Sequence, residues 1–158
     1  MRYLRRRCIG LLLALNPLLF SCAMATEKVL LWPEIQGQIL NAGKPVPELE
    51  LTQTLFWNYE ESKAPPRVVT LKTDTDGRFV FPKITGEIST GLLTQLLHQP
   101  GIGLGIDTQF DGRDIRVLAS LRTSYGKSAT SFLNCDLKNL ELFDGRWSAI
   151  CDLKKLNP

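Results

Sequence analysis

The 158-residue chain has a single histidine, His98, and four cysteines, two of which, Cys8 and Cys22, fall within the first 25 residues. One imidazole and the two remaining thiols, Cys135 and Cys151, leave a metal pair as the weaker reading of those cysteines. No G-x-S-x-G elbow, phosphate-binding loop or cysteine-nucleophile signature occurs. The expectation is therefore a protein that is not an enzyme and uses no cofactor and no metal. His98, flanked by Leu97 and Gln99, reads as a packed or surface histidine rather than as part of a triad assembled in space. No apolar run approaches the roughly 20 residues that a membrane-crossing helix needs, and no low-complexity segment or solenoid period is present.

What is present begins with an export signal. Arg2, Arg5, Arg6 and Arg7 precede the short apolar stretch IGLLLALNPLLF, and small residues follow, which is the order of a secretory leader over residues 1–25. Ala23-Met24-Ala25 offers an A-x-A cleavage site. Leu19-Phe20-Ser21-Cys22 resembles a bacterial lipobox and makes Cys22 a lipidation candidate, although Phe20 suits its position poorly, so cleavage after Ala25 is preferred. Removing the leader takes four arginines and no acid, and 19 basic against 16 acidic residues becomes 15 against 16. The formal charge then passes from +3 to −1. That balance points away from nucleic acid and from anionic membrane surfaces as partners. Any membrane contact would come through the N-terminal lipid. In an exported chain, Cys135 and Cys151 are expected to form a disulfide, worth roughly 3 kcal/mol for a loop of this length.

From residue 26 onward the dominant pattern is alternation. Ile35, Gly37 and Ile39 share a face, as do Leu49, Leu51, Leu55 and Trp57, the latter series interrupted by Gln53. Val69 with Leu71, Phe79 with Phe81, Ile115 with Val117, Ala119 and Leu121, and Trp147 with Ala149, Cys151 and Leu153 continue it. Short alternating runs between turn signals predict an all-β, antiparallel sandwich in one domain over residues 26–158. Residues 89–98, STGLLTQLLH, are the exception. Leu92, Leu93, Leu96 and Leu97 form a helical stripe that Ser89 would cap and Pro100 would end. In GIGLGID, glycines 101, 103 and 105 alternate with apolar residues and leave one strand face bare. The helix is its first expected neighbour, and an external partner the second.

Asp-Gly-Arg occurs at 76–78, 111–113 and 144–146, each time before a strand-like run, and reads as three tight turns. Within TDTDGRFVF, an EF-hand register with Gly77 at position six places Lys72 and Lys83 where oxygen ligands are required, so the stretch is a turn and not a calcium loop. Residues 58–66, NYEESKAPP, form a long polar loop, the natural place for recognition chemistry. Phe56 and Trp57 fall on opposite faces, one of them core. The other, with Tyr59, is expected beside the loop, either as an exposed anchor for a protein partner or a sugar or covered by the folded loop itself. Phe56, Tyr59, Glu60, Glu61 and Lys63 are the candidate partner-binding residues. Alanine at Tyr59, Glu60 and Glu61 together is expected to weaken binding with little change in melting, and saccharide binding would register as quenching of Trp57.

The run EIQGQILNAGKPVPELELT followed by VVTLKTDTDGRFVFPKI, residues 34–84, resembles the carboxypeptidase regulatory-like domain of the transthyretin and CnaB kind. The marks are the G-x-I strand, Gly43-Lys44-Pro45-Val46, and the Thr-Asp-x-x-Gly-x-Phe-x-Phe segment from Thr73 to Phe81. That resemblance implies a sandwich of seven or eight strands that adheres, binds or stabilises without catalysing. The Lys–Asn isopeptide bond of some CnaB domains is not expected, because the first strand-like run lacks lysine. The C-terminal part, with NCDL and ICDL, looks like small exported Gram-negative proteins, some similar to immunity proteins for phospholipase effectors of type VI secretion. The expectation is a periplasmic immunity protein that occludes a toxic, lipase-type effector. An envelope accessory protein binding glycan or an outer-membrane partner is the alternative.

Overall fold

The computed structural model describes residues 26–60, 64–89, 99–127 and 130–156. Eleven strands form among them: β1 Thr26–Trp32, β2 Ile35–Asn41, β3 Lys44–Pro45, β4 Glu50–Trp57, β5 Arg67–Lys72, β6 Arg78–Phe81, β7 Ile84–Ser89, β8 Ile102–Phe110, β9 Arg113–Arg122, β10 Thr130–Phe143 and β11 Arg146–Leu156. β1 and β7 pair as a small antiparallel sheet, and the other nine form one sheet in the order β3-β2-β10-β11-β9-β8-β4-β5, with β6 also on β2. Buried side chains from β2, β6 and β10 at one end of that order, from β4 and β8 near the other, and from β1 belong to one hydrophobic cluster. The large sheet therefore curls so that its two halves face each other, with β1 and β7 packed alongside.

The expected all-β class is found, but the sheet is mixed. β10 runs parallel to β2, with Ser131 opposite Ile35, and β11 runs parallel to β9, with Trp147 opposite Ile115. Alternation alone cannot reveal this, because a strand with one buried face reads the same in either direction. Of the stretch expected to be helical, Ser89 is the last residue of β7, and residues 90–98 lie outside the described residues. No helix among the described residues is long and apolar enough to cross a membrane.

The motif pieces quoted above meet in space. Gly37 of β2 stands opposite Phe79 of β6, and a β-carbon at 37 would lie 2.4 Å from the Phe79 ring and from the Leu133 carbonyl oxygen. Only a bare residue lets the ring lie flat there. Thr73 is buried; its hydroxyl accepts from the Leu49 amide at 2.9 Å and donates to the Val46 carbonyl at 2.7 Å. The Asp74 carboxylate accepts from the amides of Asp76 and Arg78 at 2.9 and 2.8 Å, so its oxygen serves the turn. The other two Asp-Gly-Arg segments are hairpin turns with both central residues at positive φ: Asp111 at 51° and Gly112 at 69°, Asp144 at 48° and Gly145 at 76°.

Cys135 and Cys151 are directly opposite on β10 and β11 and form a disulfide, with a Cα–Cα distance of 4.4 Å. That is the spacing of a non-hydrogen-bonded antiparallel pair. Just beyond, four residues of β10, 136–139, lie between the pairs Cys135–Cys151 and Leu140–Ala149, against Ile150 alone on β11. Asp136 organises this bulge. Its carboxylate accepts from the amides of Ala42 and Gly43, both at 2.8 Å, and from Lys138 at 2.9 Å, clasping the β2–β3 turn. These amides, that of Lys138 first, hold its carboxyl below the usual aspartate range.

Two outcomes follow. Asp136→Asn leaves an acceptor for only part of this clasp and should cost about 1 kcal/mol at pH 7, in a solvent-screened setting. Because the folded carboxyl is depressed, its contribution is complete above the unfolded value of 3.8 and disappears as pH falls through the folded value below that. Urea titrations of the two proteins should therefore converge in strongly acidic solution; an unchanged gap would mean the charge does not matter. Gln53 is 1% exposed, and neither atom of its side-chain amide has a hydrogen-bond partner among the described residues. Gln53→Met should stabilise the protein by about 1–2 kcal/mol in the same assay, and a loss of stability would mean the amide is satisfied.

Candidate functional site

The alternation of β4 places Trp57 inside, 3% exposed, and Phe56 outside, 53% exposed. Inside, the Trp57 indole stacks on Tyr59 at 5.0 Å and meets Tyr125 edge-on at 6.2 Å, while the Arg67 guanidinium lies 5.9 Å from its centre. Burial, as the largest influence, raises the Tyr125 phenol above its ordinary value. Tyr59 is half-buried, and its hydroxyl accepts from the Ser89 amide at 3.1 Å. Glu60 receives two bonds from Arg67, at 2.6 and 3.1 Å, and the same guanidinium donates to the Thr85 carbonyl at 2.7 Å. Asn58 bonds Gln99 and Gly101 through its side chain.

The candidate residues thus divide. Phe56 is on open surface. Tyr59 is not the exposed anchor expected from sequence, because its ring completes the Trp57 stack. Glu60 is committed to Arg67. Glu61 and Lys63 lie outside the described residues, as does His98. Tyr59 and Glu60 are therefore bound into the fold while Asn58 and Ala64 to Pro66 are exposed, and a broader open surface lies on the other face of β4.

That face is built in register across four strands. Phe56, Gly103 and Leu121 form one row, Thr54, Gly105 and Ala119 the next, and Thr52, Asp107 and Arg116 a third. Val68 and Thr70 of β5 extend the second and third rows. A β-carbon on Gly103 would find nothing nearer than the Phe56 β-carbon at 3.8 Å, and one on Gly105 nothing nearer than 3.7 Å. The bare face of GIGLGID is therefore open to approach. At one end Arg116 grips the Asp107 carboxylate in a close ion pair, with Arg146 3.9 Å from the same oxygen. The first two rows, from Phe56 and Thr54 to Leu121 and Ala119, together with Asp107, Arg116 and Arg146, line an open groove of about 640 Å3.

Leu121, 73% exposed, was expected inside with Val117. A β-bulge explains the difference. Ile106 pairs with Leu118 and Asp107 with Arg116, so Val117 is extra. An inserted residue reverses every later side chain. Leu118 takes the inward place, and Ala119 and Leu121 turn outward. Sequence reasoning found Phe56 and the bare glycine face but missed Leu121 and Arg146. The Asp-Gly-Arg motif directed attention to the turn, whereas Arg146 acts as the first residue of β11. Among the described residues, no group of three or more histidine, cysteine or acidic side chains is placed to hold a metal ion.

Glu60→Ala should lower stability by about 1–2 kcal/mol, because it leaves a half-buried Arg67 short of two bonds. The joint alanine substitution at Tyr59, Glu60 and Glu61 should accordingly depress the melting temperature by several degrees, in contrast to the sequence expectation. Differential scanning calorimetry decides; unchanged melting would restore those side chains to a purely surface role.

Comparisons with known proteins add a family and little else. No protein with a curated description matches the chain. Among solved structures, the crystal structure of 3-chlorocatechol 1,2-dioxygenase from Rhodococcus opacus 1CP is similar at 13% identity with a TM-score of 0.33, covering 78% of this chain. This chain spans 60% of that one, a likeness too loose to carry any statement about fold or chemistry. Residues 35–140, from the start of β2 through most of β10, match a family model, and the chain belongs to the family described as Domain of unknown function (DUF6795).

Proposed function

We propose that this protein is an exported, non-enzymatic binding protein of the periplasm that recognises a protein partner through the outward face of β4, β8 and β9. The observation that carries the reading is the row Phe56–Gly103–Leu121, in which two exposed apolar side chains flank a bare backbone. Large apolar side chains exposed around a shelf of small residues are what interfaces use as anchors and sockets. The leader-like N-terminus and the Cys135–Cys151 disulfide suit an oxidising compartment. The resemblance to exported immunity proteins narrows the proposal to a protein that occludes a toxic, lipase-type effector acting in the envelope.

A second reading, an envelope accessory protein that binds glycan, is favoured by one feature. On the same face of β4 as the exposed Phe56 stand Thr54 and, farther along, Thr52, whose hydroxyl lies 3.2 Å from that of Thr70 on β5. Quenching of Trp57 is a poor test of it, since that indole is buried. Calorimetric titration with cell-envelope oligosaccharides is the suitable one.

The test of the first reading is rescue from toxicity. A lipase-type effector recovered as a stoichiometric partner of the tagged protein is directed to the periplasm with and without the protein. Survival should depend on the protein, and Leu121→Arg should abolish at least nine-tenths of the rescue while the melting temperature stays within a few degrees. Full rescue by Leu121→Arg would remove this face from the mechanism, and no rescue by the unaltered protein would remove the immunity reading.

A further inference from the structure

Resting on the reading of the chain as a binding protein, we infer that the groove takes a segment of a protein partner carrying a bulky apolar side chain and, about 13 Å farther along, a carboxylate. The first position is set by the Phe56–Gly103–Leu121 row. Neighbouring strands are about 4.8 Å apart, so the two flanking residues stand roughly 10 Å from each other across a residue with no side chain. That gap accommodates one ring or branched aliphatic side chain against the Gly103 backbone. Gly105 and Ala119 keep the next row low, so the rest of the segment can lie close to the sheet.

The second position is set by charge. Four residues of β8 separate Gly103 from Asp107, about 13 Å of extended chain. At that end two guanidinium groups share one carboxylate. Arg116 already holds Asp107, and Arg146, whose side chain is 54% exposed, is 3.9 Å from the same oxygen and keeps donors available. A guanidinium fork is suited to a second carboxylate. Farther along, the adjoining cavity is lined by Glu50 and Asp114, which confines the favourable place for an anion to the arginines. The groove thus selects for an apolar anchor and an acid separated by about four residues of strand or nine of helix.

Sixteen-residue random peptides displayed on phage, panned on the whole disulfide-bonded protein, test this directly. Enriched sequences should pair Phe, Trp, Leu or Ile with Asp or Glu at one of those spacings. Binding of the selected peptides should fall at least tenfold in Leu121→Arg and in Arg146→Glu, and stay unchanged in Val80→Arg, an exposed position on β6. Panning on Arg146→Glu should replace the acid by Lys or Arg. Absence of the motif, or selected peptides indifferent to Leu121 and Arg146, would overturn the inference. A stable dimer in sedimentation that Leu121→Arg dissolves would overturn it too, because the occupant would then be a second copy. Selection of the motif by a protein that rescues no toxicity would retain the groove's chemistry and discard the immunity reading alone.

Discussion

Trp57 occupies its place only because residue 86 of the facing strand has no side chain. A β-carbon on Gly86 would lie 2.4 Å from the indole, far inside contact distance. This seat fixes how the β1–β7 sheet lies against the end of β4. Tyr59, Tyr125 and Arg67 close around the same ring, and Arg67 then ties in Glu60 and Thr85. Emptying a buried site of this size typically costs about 3–5 kcal/mol, a large part of the stability of a small domain. The phase of β4 follows: with Trp57 inward, Phe56 must face out, and so must Gly103 opposite it.

The outward face therefore has two independent origins. Its Phe56 side is dictated by packing on the inner face. Its Leu121 side is created by the bulge at Val117, which reverses β9 halfway along. Without that extra residue, Leu121 would point into the core and the Gly103 shelf would have one wall. Bulges commonly aim side chains toward functional surfaces. Here the bulge brings a second apolar wall into register with the first, and the parallel pairing of β11 with β9 delivers Arg146 to the same face.

Much of the strand pattern was legible because alternation records which side of a strand is buried, and Ile35, Ile39, Leu51, Leu55, Phe79 and Phe81 all lie inside as read. The cysteine pair was legible from chemistry, since two thiols with no other metal ligand beside them favour a disulfide. Strand direction was not, since Ser131–Ile35 and Trp147–Ile115 contacts join segments far apart in sequence with no local signature. Nor was the reversal at Val117, because a bulge of one ordinary apolar residue leaves the composition unchanged. The polar loop misled because Tyr59 and Glu60 look like surface residues until the buried indole and Arg67 that claim them are located. Gln53, which interrupts an apolar face, proved to be inside nonetheless.

The central claim is that a partner covers the outward face of β4, β8 and β9. Methyl-resolved nuclear magnetic resonance of the labelled protein, titrated with its isolated partner, tests it most directly. The account predicts that methyl signals of Thr54, Ala119, Leu121 and Val68 shift or broaden, while those of Leu51, Leu55 and Ile106, on the opposite face of the same strands, stay in place. Perturbation confined to the end of the fold that carries residues 58–66, with the methyl groups of Leu121 and Ala119 unmoved, would contradict it.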